Sequence, residues 1–421
     1  MPFFPTDCFR SLDVRFYELE GKFGQEGALA AAESSRAAID RIESWVHEFE
    51  ADCDFSRLPG YLYAGTDPQR QVLEKEFESL RRVGVDASWT ETFPLEFPIQ
   101  RVVRVERQAQ FHPLAYMREL ATRFVAAGGQ VFESTQVLEV DDGEPCRIVT
   151  ERSLISARDV LVLSHVPISN KLAIHTKIAA YRSYAIAISC RAKFPEGLFW
   201  DLEDPYHYIR GYQRPTGNLL IVGGEDHKVG QNRNTSDCFR RLEEYARGHF
   251  GNGNIEYRWS GQIIEPADGL PFIGKNSGSK HVYVATGFSG NGMTFGTLSG
   301  MILSDLLIGV PNKWSALYDA TRVKPIARKK NVRPSISLLV EANVRHVAKL
   351  FARAPWGRND LQRFDQTLMR VQVGDFEAIL YLRCEWRASC SLTVGVSRCI
   401  TGAERPKNVL VFTTPTARAL G

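Results

Sequence analysis

Residues 286–294 read Thr-Gly-Phe-Ser-Gly-Asn-Gly-Met-Thr, and the chemistry available there follows from the glycines. Gly287, Gly290 and Gly292 tolerate positive φ and let a flat ligand approach the backbone with no Cβ in the way. Behind them runs an apolar segment with Phe295, Leu298, Met301, Ile302, Leu303 and Leu306, which the spacing predicts to be a helix. The amino end of that helix would aim unsatisfied N–H groups and the positive end of its dipole at the turn, favouring a ligand that gains negative charge. Gly296 and Gly300 form a GxxxG face that would let the helix lie close to a strand or to the ligand. The alternative is a tight strand-to-helix turn of the kind any α/β protein uses.

A second set of candidates lies upstream. Arg182, Tyr184, Tyr208 and Arg210 fall in strand-like segments and are candidates to line a substrate pocket. The alternative for each is an ordinary polar residue on a strand. His165 and His207 read as ordinary polar residues. Cys8, Cys53, Cys146, Cys190, Cys238, Cys384, Cys390 and Cys399 include no CxxC pair. Their spread suits reduced thiols in the cytoplasm better than a disulfide framework.

The elements that must position these groups are legible from period. Ile39, Ile42, Val46 and Phe49 mark one amphipathic helix, and Val72, Leu73, Phe77, Leu80 and Val83 a second. His112-Pro113 starts a third, through Leu114, Met117, Leu120 and Phe124, which Gly128-Gly129 stops. The period then changes to two, predicting strands over 130–133, 135–140, 147–150 and 159–163. In the last, Val160-Leu161-Val162-Leu163 is continuously apolar, as a strand buried on both faces must be. Residues from about 176 to 260 carry strands at 184–189, 206–211 and 218–223, then a helix from about 236 to 249. This suggests an inserted antiparallel sheet, a plausible substrate-binding layer. A buried-type strand at 281–285 leads into the glycine turn. The fold class expected is α/β.

Composition limits the partners. The 421 residues are 44% hydrophobic, enough for a substantial core, and the net charge of +3 is too slight to argue for nucleic acid. No apolar run is long enough to span a membrane, and no export signal follows Met1. The partner expected is a small molecule.

The glycine turn has an ordered neighbourhood. Trp259-Ser260-Gly261 comes first, then Asp268-Gly269-Leu270-Pro271-Phe272-Ile273-Gly274, then the strand ending in Ala285-Thr286-Gly287. With His112-Pro113, Thr135-Gln136-Val137 and the strand at 160–164, this set resembles the D-amino-acid oxidase/glycine oxidase superfamily of FAD-dependent oxidoreductases, over roughly residues 10 to 325. Within it the chain looks closest to enzymes such as gamma-glutamylputrescine oxidase, some of which carry a fused Rieske iron–sulfur domain. The resemblance implies FAD as cofactor, with Val137 reaching the adenine through its backbone. It places Gly287, Gly290, Asn291, Gly292, Met293 and Thr294 around the isoalloxazine ring. The activity it implies is oxidation of the C–N bond of an amine or amino-acid-like substrate.

Three departures qualify that expectation. No GxGxxG follows a strand near the start, so the expected architecture is an incomplete FAD-binding Rossmann-like domain, N-terminally truncated, within residues 1–325. Gly21, Gly24 and Gly27 have the wrong spacing and read as a polar loop before a helix. The arginines that clamp a substrate carboxylate in glycine oxidase-like enzymes fall at Ile263 and Gly290, which points to amines rather than simple α-amino acids. Residues 326–421 read as a degenerate tail at the position of a Rieske domain, with a hairpin at about 374–383. The last histidine is His346, ahead of Cys384, Cys390 and Cys399, so no iron–sulfur cluster of that type is expected. The alternative function is a non-catalytic, cofactor-deficient remnant.

Overall fold

A computed structural model describes residues 14–168, 174–190, 193–230 and 234–322, with strand backbones at 6–8, 365–373, 376–384 and 408–414. In chain order the elements begin with β1 (Thr6–Cys8), α1 (Phe16–Glu48), β2 (Ser56–Ala64), α2 (Asp67–Arg82), β3 (Ala87–Trp89), β4 (Arg101–Phe111) and α3 (Pro113–Ala126). Short strands follow: β5 (Gln130–Glu133), β6 (Val137–Asp141), β7 (Cys146–Thr150), β8 (Leu154–Ala157) and β9 (Val160–Ser164). Next come β10 (Ile178–Cys190), β11 (Leu198–Trp200), β12 (His207–Arg214), β13 (Gly217–Lys228), α4 (Thr235–Phe250) and β14 (Ile255–Pro266). The chain continues through β15 (Phe272–Lys275), β16 (Val282–Thr286), α5 (Gly292–Ile308), α6 (Ser315–Tyr318), β17 (Asp365–Val373), β18 (Phe376–Cys384) and β19 (Asn408–Thr414).

Local chemistry accounts for the helix ends. α2 starts in a capping box, where the Thr66 side chain takes the Gln69 amide and the Gln69 side chain reaches back, with Pro68 in the first turn. At α3 the His112 Nδ1 accepts from the Ala115 amide at 3.3 Å. α1 behaves differently from the expected loop-then-helix. Gly21, Gly24 and Gly27 lie inside it, and Gly24, at φ +74°, breaks it into two pieces without ending it. The polar-loop expectation for these three glycines is therefore corrected. Glycine alone adopts that φ at no steric cost, so the chain turns once and resumes the helix. Ile39, Ile42 and Val46 are buried on its second piece, as their spacing predicts.

Two large sheets carry the architecture, and the α/β class holds. The nine-stranded sheet runs β1-β4-β2-β11-β12-β13-β10-β14, with β3 beside β4. It is antiparallel except where β11 joins β2 in parallel. The antiparallel layer expected from about 176 to 260 thus also recruits strands from residues 56–111. The seven-stranded sheet runs β15-β16-β9-β19-β18-β17-β5, with β16 and β9 parallel. All five residues of β9 and of β16 are buried, as their unbroken apolar runs require. β6, β7 and β8 form a small antiparallel sheet of their own. β17 and β18 pair antiparallel, so the hairpin begins at Asp365 and the stretch expected to hold it, 374–383, supplies only its second strand; β19 runs parallel to β9 from Val409↔Val160 to Thr413↔Ser164. His346, Cys390 and Cys399 lie outside the described residues.

The main core joins α1, α2 and α5 to the sheets through Phe16, Leu19, Leu73, Leu80, Leu161, Leu298 and Ile302. A separate core lies between α4 and one face of the nine-stranded sheet, with Tyr184, Ile186, Ile209, Val222, Phe239 and Leu242. Among the described residues no helix is long and apolar enough to cross a membrane.

Candidate cofactor and substrate site

The turn between β16 and α5 is built on backbone geometry. Gly287 sits at φ +79°, where a side chain is strained, and a Cβ there would also crowd Pro266 Cβ at 3.2 Å. Ser289 also has positive φ, and its N–H donates to the Ile264 carbonyl at 3.0 Å, tying the turn to the end of β14. Thr286 Oγ1 donates to the His165 carbonyl at 2.5 Å, tying the end of β16 to the end of β9. The turn therefore stands at the carboxyl ends of two parallel strands, the edge where α/β sheets bind ligands.

Asn291 is the N-cap residue of α5, yet no side chain caps the helix. Its amide oxygen and nitrogen are buried without a hydrogen-bond partner, and so is Thr294 Oγ1. Both residues are essentially inaccessible, at 1% and 0% exposure. Orphaned polar groups at an uncapped helix amino terminus suit the polar edge of a flat, electron-rich ring. These residues fit the isoalloxazine end of a flavin. Met293 points elsewhere, into the cluster with Ile39, Ile42, Phe111 and Tyr116. Val137 opens β6 and packs with Val160, Val162 and Val284 in the core around β9 and β16.

Cross-strand register sorts the substrate candidates by face, because directly paired residues point the same way. One row runs Leu62, Trp200, Tyr208, Gly223, Ala185 and Trp259 across β2, β11, β12, β13, β10 and β14. The next runs Gly60, Leu198, Arg210, Ile221, Ala187 and Tyr257. Tyr208 and Arg210 therefore share one face with Trp259 and Tyr257. Tyr208 lies across Gly223, where a Cβ would fall 1.9 Å from its ring. Ile263 continues that face two pairs beyond Trp259.

Tyr184 and Arg182 belong to the opposite face. Tyr184 is paired with Gly224, which pairs with His207. Its hydroxyl meets His227 Nε2 at 2.8 Å and its ring stands edge-on to Phe239 of α4. Burial pushes its phenol pKa up. Arg182 donates to Ser260 Oγ at 2.7 Å. The four candidates thus divide between two faces, and the Tyr184 row faces α4. His207 belongs to that reverse side too, with Nδ1 2.8 Å from Asp201 and its ring stacked on Tyr245. Sequence reasoning missed Trp200, Tyr212 and Tyr257 on the front face. The signal was present for Tyr212, since Tyr208, Arg210 and Tyr212 alternate with period two.

Residues 15–306 match the model of the family described as FAD dependent oxidoreductase. The chain is 28% identical over 353 residues to a Bacillus subtilis protein described as a putative Rieske 2Fe-2S iron-sulfur protein, spanning 83% of this chain and 68% of that one. It is 22% identical to the gamma-glutamylputrescine oxidoreductase of Escherichia coli, over 73% and 74% of the two chains. Glycine oxidase from Geobacillus kaustophilus superposes with a TM-score of 0.61 at 17% identity, covering 69% of this chain and 83% of that one. L-proline dehydrogenase from P. horikoshii gives 0.60 at 17%, covering 70% and 83%. The glycine turn, all but the last two residues of α5, and the front-face strands lie inside the matched residues, and this chain belongs to the FAD dependent oxidoreductase family.

Proposed function

We propose that this chain oxidises the C–N bond of an amine or amino-acid-like small molecule, with FAD as electron acceptor. The observation that carries the reading is the uncapped amino terminus of α5, with orphaned Asn291 and Thr294, tied through Ser289 to the strand that bears Trp259 and Ile263. Bound there, the flavin supplies the hydride acceptor, and the protein supplies orientation and electrostatics. The α5 dipole favours the negative charge that reduction places on the ring, and Gly287, Gly290 and Gly292 admit it to the backbone. Tyr208, Arg210 and Trp259 form the wall against which the substrate is held. Ile263 and Gly290 offer no charged clamp for a carboxylate, which favours amines over simple α-amino acids. The spread of cysteines favours reduced thiols and a cytoplasmic setting, and the ligand count in the tail argues against an iron–sulfur cluster.

One observation favours a second reading. No GxGxxG occurs in residues 1–421, so the usual pyrophosphate cradle is missing from this sequence and the chain is a cofactor-deficient relative. Flavin titration of the purified chain separates the two. Saturable FAD binding with perturbed visible absorbance, lost at least tenfold in Gly290→Val or Gly292→Val, supports the oxidoreductase. A colourless protein that ignores added FAD overturns it.

A further inference from the structure

β11 is too short to seal the nine-stranded sheet. Its three residues pair with Gly60, Tyr61 and Leu62 on one side and Tyr208, Ile209 and Arg210 on the other, leaving the start of β2 and the end of β12 unbridged. The gap is a cavity of about 350 Å³. It lies at the Tyr212 end of β12, four residues or roughly 13 Å along the strand from Tyr208, and away from the glycine turn. That volume falls within the range of small-molecule sites, roughly 300–1,000 Å³.

The lining has a definite chemistry. Phe55, Phe194 and Tyr212 supply aromatic surface, and Asp54 and Glu196 supply carboxylates. The cations nearby are paired with carboxylates, although Arg57 Nε is buried without a hydrogen-bond partner. Arg57 lines the cavity, but its Nη2 binds Asp40 at 2.7 Å and Glu43 at 2.6 Å, and its Nη1 binds the Arg107 carbonyl. Arg214 holds both oxygens of Glu256 at 2.6 Å. Lys193 meets Glu196 at 2.8 Å on the exposed rim. Among the described residues no cation within ion-pair distance answers Asp54, whose carboxylate hydrogen-bonds Tyr212. Aromatic rings attract a cation through their quadrupoles, and an unanswered carboxylate does so through charge. A neutral ligand gains only the first, weakly.

We propose that this notch is a second ligand site, selective for a small organic ammonium ion. Its alkyl part lies against Phe55, Phe194 and Tyr212, and its N–H groups donate to Asp54 and Glu196, displacing Lys193 from Glu196. The site stands independently of what the glycine turn binds.

Calorimetry and saturation-transfer NMR on the full chain test it, with 1,4-diaminobutane as cation and 1-butanol and butyrate as neutral and anionic counterparts. The diamine is expected to bind, and the other two are not. Affinity falls about tenfold or more in the double variant Asp54→Asn with Glu196→Gln, as loss of charge-assisted contacts requires. It falls again at about 0.5 M salt, where exposed charges are screened. Tyr212→Leu weakens binding through the aromatic wall. Asp54 and Glu196 are both exposed, so the double variant keeps the parent's thermal midpoint. Absence of diamine binding, equal binding of butanol, or an unaltered affinity in the double variant overturns the proposal.

Discussion

Arg322 grips Asp268 through two parallel hydrogen bonds, Nε to Oδ2 and Nη2 to Oδ1, both 2.8 Å long. The same guanidinium donates to the Pro271 carbonyl at 2.7 Å and to the Leu270 carbonyl, and it lies 3.9 Å from the centre of the Phe272 ring. The side chains are 8% and 11% exposed. One arginine therefore staples the loop between β14 and β15, the loop that leads from Pro266 beneath the glycine turn into the sheet.

Removing one partner of such a pair leaves a buried charge unanswered. Arg322→Ala is expected to cost about 3–5 kcal/mol in urea unfolding. Arg322→Lys should recover little of this, since a single ammonium cannot reproduce the fork. A loss below about 1 kcal/mol would mean the pair is solvated and does not organise the loop.

Glu76 of α2 receives the Phe16 and Tyr17 amides at 3.1 and 3.2 Å, so a residue about sixty positions away takes the place of a cap on α1. Burial raises its carboxyl pKa against the opposing pull of Arg15 and those two amides. A raised pKa means that its contribution is complete below the ordinary carboxylate value and is lost as pH climbs through the folded value. Stability should therefore decline as pH rises above about 4.3. Glu76→Gln is expected to flatten that part of the stability–pH curve, and denaturant melts at a series of pH values would show it. A slope unchanged in the variant counts against the assignment.

Gly223 and Tyr208 are predicted to be energetically coupled. A methyl at 223 has no space beneath the Tyr208 ring, so Gly223→Ala should cost about 1–3 kcal/mol through overpacking. In a double-mutant cycle, Tyr208→Ala should relieve most of that cost, a coupling of about 0.5–3 kcal/mol. Strict additivity would show that the ring does not rest on the glycine.

His281 makes a pH contribution of the same sign in a higher window. Burial opposes its charge, but Asp159 at 2.9 Å and Glu144 at 3.2 Å outweigh burial and raise its pKa. Its stabilisation is full below about 6.5, the ordinary value, and is lost as pH rises through the raised one. His281→Gln should remove this dependence, read as thermal midpoints between neutral and mildly alkaline pH. An NMR titration placing the imidazole below its ordinary value would contradict the expectation.

Much of the site's frame was legible because its signals are local. Five consecutive buried residues announce β9, the three- and four-residue spacing announces α2, and Gly287, Gly290 and Gly292 announce a turn before an apolar helix. The fold class followed from the same period changes. What failed was orientation. Tyr184 and Tyr208 look alike in sequence, each in a short alternating strand, yet they end on opposite faces of one sheet.

The sequence by itself determined several elements, among them α2, α3, β9 and β16, where the glycine turn must be, and that no GxGxxG is present in these residues. Helical and strand periods are properties of neighbouring residues, so one chain suffices to read them. Only the tertiary structure decided that Tyr208 and Arg210 share a face while Tyr184 turns to α4, that Glu76 caps α1, and that Arg322 closes on Asp268. Each of these depends on pairing register or on contacts between residues 54 to 60 positions apart. A shift of one residue in register inverts a strand's faces without altering any local signal.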